Sequence, residues 1–267
     1  MLLIGETLNA TIPRVGAAIR ARDAAFLQDL ARRQAAAGAR MLDVNAATGL
    51  GDEAEDLAWL VRCVQAAVDL PLLLDSGNAA ALRAGIRAHR GKPIVNSVDA
   101  RREKLEALLP ALAGTGCGVV GLCLGEELPR GVEERLRLAR VLVKELNGAG
   151  IAPQDVYLDP LVMSAGADHA AGRLALDALS GLKEELPGVR TIVGLSNVSH
   201  GLPWRKPLNR VFLALLVEKG LDACIADVLD AEMEPTWRAA MLLTGQDPHC
   251  RGFTGAFRAR KRMERPE

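Results

Sequence analysis

The sequence predicts a single (β/α)8 barrel, because one repeat recurs along nearly its whole length. Eight short apolar runs each end in a cluster rich in Asp, Asn or Glu. The segments between them are rich in Ala, Leu, Arg and Glu and are long enough for a helix. The 267 residues are close to the roughly 250 typical of this fold. No Pro/Gly/Ser-rich linker interrupts the alternation, so we expect one domain over residues 1–256, followed by a basic tail over 257–267.

The apolar runs are the predicted strands. A run such as 71–74 is apolar without alternation, as expected for a parallel strand buried on both faces. The carboxyl ends of such strands meet at one mouth, where the active site of a barrel enzyme lies. The predicted strands, with the polar clusters that end them, comprise residues 2–9, 40–45, 71–78, 93–99, 119–126, 156–160, 191–199 and 224–230.

Helices are predicted between the strands, each followed by a glycine or proline before the next apolar run. Gly38 stands after the first helix, as the residue just past a helix C-terminus often does. We expect Asn78 to cap the third helix, and Ser97 or Asp99 to cap the fourth. The basic segment 251–267 is expected to be a surface or frayed terminus. The predicted helical segments comprise 14–37, 52–68, 79–89, 101–112, 132–146, 170–186, 208–219 and 231–243.

Composition and charge exclude several classes of protein. The chain has 33 basic and 33 acidic residues, and this balance gives no electrostatic footprint for nucleic acid. No apolar segment reaches the roughly 18 residues of a membrane span, and the apolar start of the chain is too short for a signal peptide. The five cysteines lack CxxC spacing, so neither a disulfide framework nor a zinc site is expected. We therefore expect a cytoplasmic, reduced protein that binds neither nucleic acid nor membrane.

The polar residues at the strand ends are the candidate binding residues. They offer carboxylates and amides, but no nucleophilic Cys or Lys, no metal-ligand spacing and no phosphate loop. Such a mouth suits a neutral heterocycle: Asp75, Asn96 and Asp159 could read the 2-amino-4-oxo edge of a fused pyrimidine. The alternative for any one of these residues is that it only caps the following helix. The set comprises Glu6, Asn9, Asp43, Asn45, Asp75, Asn78, Asn96, Asp159, Asn197, Ser199 and Asp227.

The same segments carry a resemblance to a known family. GETLNAT, GARMLDVN, LLLDSGN, VNSVDAR, YLDPLV, GLSNVSHGLPWRKPLNR and ACIADVLD are similar to the pterin-binding methyltransferases, above all those that act with corrinoid proteins. The folate domain of cobalamin-dependent methionine synthase is a more distant member. The likeness runs from residue 1 to about residue 256 with almost no change of length. It implies the barrel fold already predicted, a pterin in the barrel mouth, and a homodimer.

The resemblance also implies roles for individual residues. Asp75, Asn96 and Asp159 match the pterin-binding positions. Asp43 and Asn45 match a rim pair that completes the polar network. Arg205 matches a loop arginine near the p-aminobenzoyl-glutamate end of folate, whereas His200 stands where the family carries Gln. With the strand-end residues Asn9 and Ser199, the predicted substrate-binding set comprises Asn9, Asp43, Asn45, Asp75, Asn96, Asp159, Ser199 and Arg205.

Asn197 matches an amide near N5 of the pterin and is the predicted catalytic residue. In the family the methyl group passes from N5 of methyltetrahydrofolate to cob(I)alamin, which is the nucleophile, so the protein has only to align the methyl group and stabilise N5. We expect Asn197 to donate a hydrogen bond to N5 while a proton arrives through Asp, water or bulk solvent. No protein-bound metal is expected.

The corrinoid must come from a partner protein, because no second domain is present to hold it. We expect the partner to dock over the mouth, against the loops 49–53, 125–131 and 201–207. These segments could equally be plain connections between strands and helices. Trp204, in a loop that looks exposed, is the best single candidate for a contact.

Two other functions remain open at this point. A dihydropteroate synthase has a similar fold and pterin site but needs basic residues for a pyrophosphate leaving group. Here YLDP is followed by LVMSAG, and CIADVLD contains no Arg–His pair. A non-catalytic folate-binding subunit of a corrinoid complex would keep the pterin-binding residues but need no group near N5. A zinc-dependent thiol methyltransferase is excluded, because no Cys/His cluster could bind the metal.

Overall fold

The computed structural model describes residues 1–263 and shows a closed barrel of eight parallel strands, hydrogen-bonded in chain order. All eight predicted strands are confirmed. The described part of the chain forms one barrel, as the unbroken alternation of strand and helix predicts. The strands are β1 (Leu2–Asn9), β2 (Met41–Asn45), β3 (Leu72–Asp75), β4 (Ile94–Asp99), β5 (Gly118–Leu122), β6 (Val156–Asp159), β7 (Arg190–Gly194) and β8 (Ala223–Ala226).

The barrel interior is a packed core. Each strand contributes one buried side chain to a single inner cluster, and registered neighbours such as Ile4 and Met41, or Leu73 and Ile94, belong to it. Barrels of this type are filled by such layers and have no pore. This layer closes the barrel interior, so a ligand that binds in the described barrel from the active-site end lies above the layer, at the carboxyl-terminal mouth. The inner cluster comprises Ile4, Met41, Leu73, Ile94, Val120, Tyr157, Ile192 and Ala223.

A ring of helices surrounds the strands and buries its apolar faces against them. Two helices precede β2, one follows each later strand, and the last helix packs against the one before it. None of the helices in the described residues is long and apolar enough to cross a bilayer. The helices are α1 (Pro13–Arg20), α2 (Ala24–Ala36), α3 (Glu53–Gln65), α4 (Ala79–Ala88), α5 (Arg102–Leu112), α6 (Val132–Gly148), α7 (Ala171–Glu185), α8 (Arg205–Glu218), α9 (Met233–Leu243) and α10 (Arg251–Met263).

The first predicted helical segment is interrupted. Arg22 has a φ of 54°, a left-handed conformation that ends a helix. Asp23 then starts α2, because its side chain accepts the backbone N–H of Phe26 at 3.1 Å. The Arg-Asp sequence inside an otherwise helical pattern was the available signal, since Asp is a favoured N-cap.

The start of α8 differs from expectation, whereas the cap expected at Asn78 is confirmed. The helix begins at Arg205, so Arg205 lies in its first turn and not in a loop. Pro207 does not prevent this, because a proline is tolerated in the first turn, where its missing N–H has no helical partner. Asn78 does cap α4, accepting the N–H groups of Ala80 and Ala81 at 2.9 and 3.3 Å.

The cap expected from Ser97 or Asp99 on the fourth predicted helix is wrong. That helix is α5, which begins without a side-chain cap. The Asp99 carboxylate instead binds Arg101, accepting its backbone N–H at 3.0 Å and its Nη2 at 2.6 Å. An adjacent guanidinium competes with the helix for this carboxylate, and charge-assisted bonds of this kind are the stronger ones.

The basic tail is helical through Met263, where we had expected a surface or frayed terminus. It is exposed, as expected, but α10 packs against α9. Asp247 stabilises its start by accepting the N–H groups of Gly252 and Phe253, each at 2.8 Å. The helix runs through the expected boundary between barrel and tail at residue 256. Residues 264–267 of the tail lie outside the described residues.

Candidate functional site

A cavity of about 530 Å3 opens at the carboxyl ends of the strands. Its wall is made of carboxylates, amides and hydroxyl groups from β1–β4, β7 and β8 and from the loops that follow them. Five of the predicted site residues, Asn9, Asp43, Asp75, Asn96 and Asn197, lie in this wall. The complete lining comprises Glu6, Thr7, Asn9, Thr11, Ile12, Asp43, Asp75, Asn96, Gly194, Ser196, Asn197, Ile225 and Asp227.

Asp43 is the most deeply buried carboxylate of the cavity, with 4% of its surface exposed. Its Oδ1 has no hydrogen-bond partner among the described residues, whereas the side chain of Asn96 hydrogen-bonds to the carboxylate. Burial raises the pKa of Asp43 well above its usual value, and the neighbouring charges of Asp75 and Glu6 raise it further. A buried oxygen without a partner is an unmet acceptor, so this corner of the cavity is ready to receive a donor from a ligand.

Asp75 is held in place by Asn45. The Asn45 amide donates to Asp75 Oδ2 at 3.1 Å, and its own Oδ1 accepts the N–H of Ala47. Burial raises the pKa of Asp75, and the bond from Asn45 opposes that effect. Asn45 is not in the cavity wall. The two residues of the predicted rim pair therefore have different positions: Asp43 lines the cavity, and Asn45 orients the Asp75 carboxylate.

Asp159, at the end of β6, is partly exposed but does not line this cavity. It accepts the N–H of Leu161 at 2.8 Å and that of Gly194, and Gly194 is the residue that faces the cavity. Burial raises the pKa of Asp159 to about 7, although both N–H bonds lower it. A carboxyl group that stays protonated to near-neutral pH can donate a hydrogen bond as well as accept one.

Asn197 projects from the 3-10 turn Leu195–Ser199 that follows β7. Leu195 and Val198 are buried and anchor the turn, because residues three apart lie on the same side of such a helix. The Asn197 side chain is exposed to the cavity. No hydrogen bond within the described residues occupies its amide. Gly194 allows the side chain to lie close to the strand end: a Cβ at that position would be 3.0 Å from Asn197 Nδ2.

The structure does not place Ser199 in the cavity wall. Ser199 is fully buried, its hydroxyl donates to the carbonyl of Ser196 at 3.3 Å, and it accepts Nε of Arg205 at 3.1 Å. Arg205 also donates to the Ser196 carbonyl at 3.0 Å. Ser199 therefore supports the turn that presents Ser196 and Asn197, and Arg205 lines a smaller, adjacent cavity.

Glu6, Ser196 and Asp227 also line the cavity, although none of them is in the predicted substrate-binding or catalytic set. The Ser196 hydroxyl donates to Glu6 Oε1 at 2.7 Å. Burial is the main cause that raises the pKa of Glu6. Glu6 and Asp227 belong to the strand-end set, which was the available signal. Glu6 and Thr7 both reach the cavity because β1 changes register against β2 after Gly5, as strands near active sites often do.

Four of the large apolar side chains that are exposed lie on loops around the mouth. Leu50 and Leu128 fall within the predicted docking segments 49–53 and 125–131, and Ile12 precedes α1. Trp204 is 85% exposed and has a φ of 55° just before α8. No group of His, Cys, Asp or Glu in the described residues is arranged to hold a metal ion.

Known proteins have sequences similar to this one. The model of a family of pterin-binding enzymes matches residues 5–227. A methylcorrinoid:tetrahydrofolate methyltransferase from Eubacterium limosum is 34% identical over 264 residues, which are 98% of this chain and 97% of the relative. Methionine synthase from Mycobacterium tuberculosis is 30% identical over 239 residues, which are 84% of this chain but only 20% of that protein.

Solved structures share the fold. A Yersinia pestis dihydropteroate synthase with a pterine-sulfa conjugate has a TM-score of 0.68 at 20% identity, over 91% of each chain. A Xanthomonas albilineans dihydropteroate synthase with 4-aminobenzoic acid has a TM-score of 0.69 at 22% identity, over 91% of this chain and 92% of that one. With the family match and the near full-length relative, these findings lead to one conclusion: the chain belongs to the family of pterin-binding enzymes.

Proposed function

We propose that this protein is a methyltransferase that moves the N5-methyl group between methyltetrahydrofolate and the cobalt of a corrinoid carried by a partner protein. The observation that carries the proposal is the full-length similarity to a methylcorrinoid:tetrahydrofolate methyltransferase. The composition of the cavity supports it, because carboxylates and amides suit a pterin, and a reaction whose nucleophile is supplied from outside needs no nucleophile in the wall.

The pterin ring would bind through the Asp43, Asp75 and Asn96 side of the cavity. A 2-amino-4-oxo pyrimidine edge has several N–H donors, and the unpaired Oδ1 of Asp43 and the Asp75 carboxylate are acceptors. The Asn96 amide can donate and accept at once. Asp159 would also bind the pterin, and the hydrogen bond that it accepts from Gly194 would fix the start of the Asn197 turn.

Asn197 would stabilise N5 as the methyl group leaves. The C–N5 bond breaks with its electron pair on nitrogen, so a hydrogen bond from the free Asn197 amide strengthens as the charge develops. An interaction that is stronger in the transition state than in the ground state raises the rate of the chemical step. Loss of one such donor lowers rates on the order of 10²–10³-fold.

The corrinoid would be presented by the partner at the open mouth. Cob(I)alamin supplies the nucleophile, and the chain's own part is to bind the folate, align its methyl group and exclude water. The exposed apolar side chains of Ile12, Leu50, Leu128 and Trp204 on the loops around the mouth are suited to contact with a protein partner.

The decisive experiment mixes the protein anaerobically with methyltetrahydrofolate and cob(I)alamin and follows methylcobalamin by its absorbance. We expect the wild-type protein to form methylcobalamin. Asn197→Ala should bind folate with a similar Kd but transfer the methyl group about 10²-fold more slowly. Asn147→Ala, an exposed change on α6, is the matched control and should be unchanged.

Other outcomes would reject the proposal in whole or in part. Folate binding without any methyl transfer would indicate the non-catalytic subunit. Formation of dihydropteroate from a pterin pyrophosphate and 4-aminobenzoate would indicate a synthase. Wild-type turnover by Asn197→Ala with folate bound would leave the reaction class in place but remove Asn197 from the mechanism.

A further inference from the structure

A second cavity of about 220 Å3 adjoins the mouth cavity and shares part of its wall. Glu6, Ser196 and Asp227 line both cavities. The second cavity, which we call the side cavity, continues from these residues toward the N-terminus of α8. Its lining comprises Glu6, Ser196, Arg205, Lys206, Asn209, Asp227, Asp230 and Met233.

The side cavity is suited to ordered water. Asn209 lines it with only 7% of its surface exposed, and its Oδ1 has no partner among the described residues. A buried amide oxygen is normally satisfied by a protein donor or by water, and the cavity is roomy and polar enough for water. Arg205 and Lys206 at the helix terminus are exposed, so the side cavity connects the Glu6 carboxyl group with the solvent around α8.

Glu6 is also close to the reacting end of the mouth cavity. It accepts the hydroxyl of Ser196 at 2.7 Å, and Ser196 is the residue next to Asn197. Asp43 and Asp75 line the mouth cavity but do not line the side cavity. Asp227 lines both cavities, but its Oδ1 accepts the N–H of Leu229. The Glu6 carboxyl group thus combines a hydrogen bond to the residue next to Asn197, in a cavity that Asn197 also lines, with a route to solvent.

We propose that Glu6 is the catalytic acid and base of methyl transfer and exchanges its proton through the side cavity. This inference rests on the proposed function. In the direction of methylcobalamin formation, the C–N5 bond breaks, the C–Co bond forms, and the electron pair left on N5 takes the proton of the Glu6 carboxyl group. The Glu6 carboxylate then takes a proton from water in the side cavity. In the opposite direction the carboxylate removes the N5 proton of tetrahydrofolate.

The charges that face Glu6 favour this role. Burial raises its pKa, the charge of Asp227 raises it further, and Ser196 and Arg205 lower it. The buried Asp43 carboxyl and the Cys224 thiol, from β2 and β8, also face it. Because the folded pKa lies above the ordinary value, the acid form persists to higher pH than in a free glutamate. An acid whose pKa approaches the working pH is the most effective proton donor.

The test is single-turnover methyl transfer to cob(I)alamin as a function of pH, with folate affinity measured in parallel. Glu6→Gln keeps an oxygen that accepts the Ser196 hydroxyl, but its amide has no acidic proton to transfer to N5. We expect it to transfer methyl about 10²-fold more slowly, as for the loss of a general acid, with folate affinity within about twofold. The wild-type rate should fall as pH rises through the Glu6 pKa, and this dependence should be absent in the variant. Glu103→Gln, an exposed change on α5, is the control.

The outcomes separate this inference from the proposed function. A wild-type protein that forms no methylcobalamin refutes the proposed function. An active wild type whose rate and pH profile are retained in Glu6→Gln refutes the role of Glu6 alone. Ser196→Ala tests the same role if the Glu6 variant fails to fold. The Ser196 hydroxyl lowers the Glu6 pKa, so its removal should shift the fall of the wild-type rate to higher pH. A pH profile that does not shift overturns the inference.

Discussion

Asp159→Asn should make the protein more stable at alkaline pH than the wild type. The change removes a carboxyl group whose pKa burial raises from 3.8 to about 7. The folded state therefore holds this proton when the unfolded chain has already lost it. Stability falls with rising pH wherever the folded state binds more protons. The penalty starts above the unfolded pKa near 3.8 and is complete above about pH 7. Asn cannot ionise, so the variant does not suffer this loss.

The size of the effect follows from the two pKa values. With 3.8 in the unfolded chain and about 7 in the folded protein, the wild type loses roughly 2–3 kcal/mol between pH 5 and 8 that the variant keeps. The absolute stability of the variant is less informative, because an Asn amide group facing the N–H of Gly194 or Leu161 loses one hydrogen bond, worth about 1 kcal/mol. The cost of that lost hydrogen bond does not change with pH, so it cancels when the pH dependence of the free energy of unfolding is compared between the two proteins.

Urea unfolding at a series of pH values between 5 and 8 measures this slope directly. The free energy of unfolding of Asp159→Asn minus that of the wild type should rise with pH by the amount given. Asp69→Asn, an exposed change between α3 and β3, controls for the loss of one negative charge and should show no such rise. If the two difference curves run parallel, the Asp159 carboxyl is not held protonated by burial, and its assigned proton-donating capacity has no basis.

Three further perturbations test other parts of the structure. Gly5→Ala should lower the free energy of unfolding by a few kcal/mol in urea, because the new Cβ would stand 2.3 Å from the buried Gln34 Oε1; an unchanged midpoint contradicts the packing described. Trp204→Ala should slow methyl transfer with a corrinoid protein but not with free cob(I)alamin, and equal slowing with both would place Trp204 at the folate. Asp247→Ala should remove the hydrogen-exchange protection of the Gly252 and Phe253 amides, and full protection would show that α10 starts without this carboxylate.

The sequence predicts the barrel well because its signal is repeated eight times and does not depend on any single boundary. The same repetition identifies the mouth, since every strand end is polar. The roles of individual residues at the mouth are harder to predict from the sequence. Ser199 and Asn197 are two residues apart in one polar motif, yet one is buried beneath the other. That difference arises from the 3-10 turn after β7. Five residues are too few for a hydrophobic pattern to predict such a turn.

The sequence predicts the position of a side chain least well where the backbone is irregular. The register change in β1 brings both Glu6 and Thr7 to the cavity, whereas strict alternation allows only one of two neighbours to face it. The sequence predicts Asp159 as a pterin-binding residue, but it does not predict the hydrogen bond that its carboxylate accepts from Gly194 on β7. Such three-dimensional contacts between different strands leave little trace in the local sequence.

In the proposed reaction, folate and the corrinoid protein would share one opening, because the packed layer of eight side chains closes the barrel beneath the mouth. A bound partner would stand over the opening through which folate has to pass. The catalytic cycle is then compulsory in its order: folate enters first, the partner arrives second, and product folate departs only after the partner has left. Excess partner protein should consequently slow steady-state turnover by trapping the folate product inside.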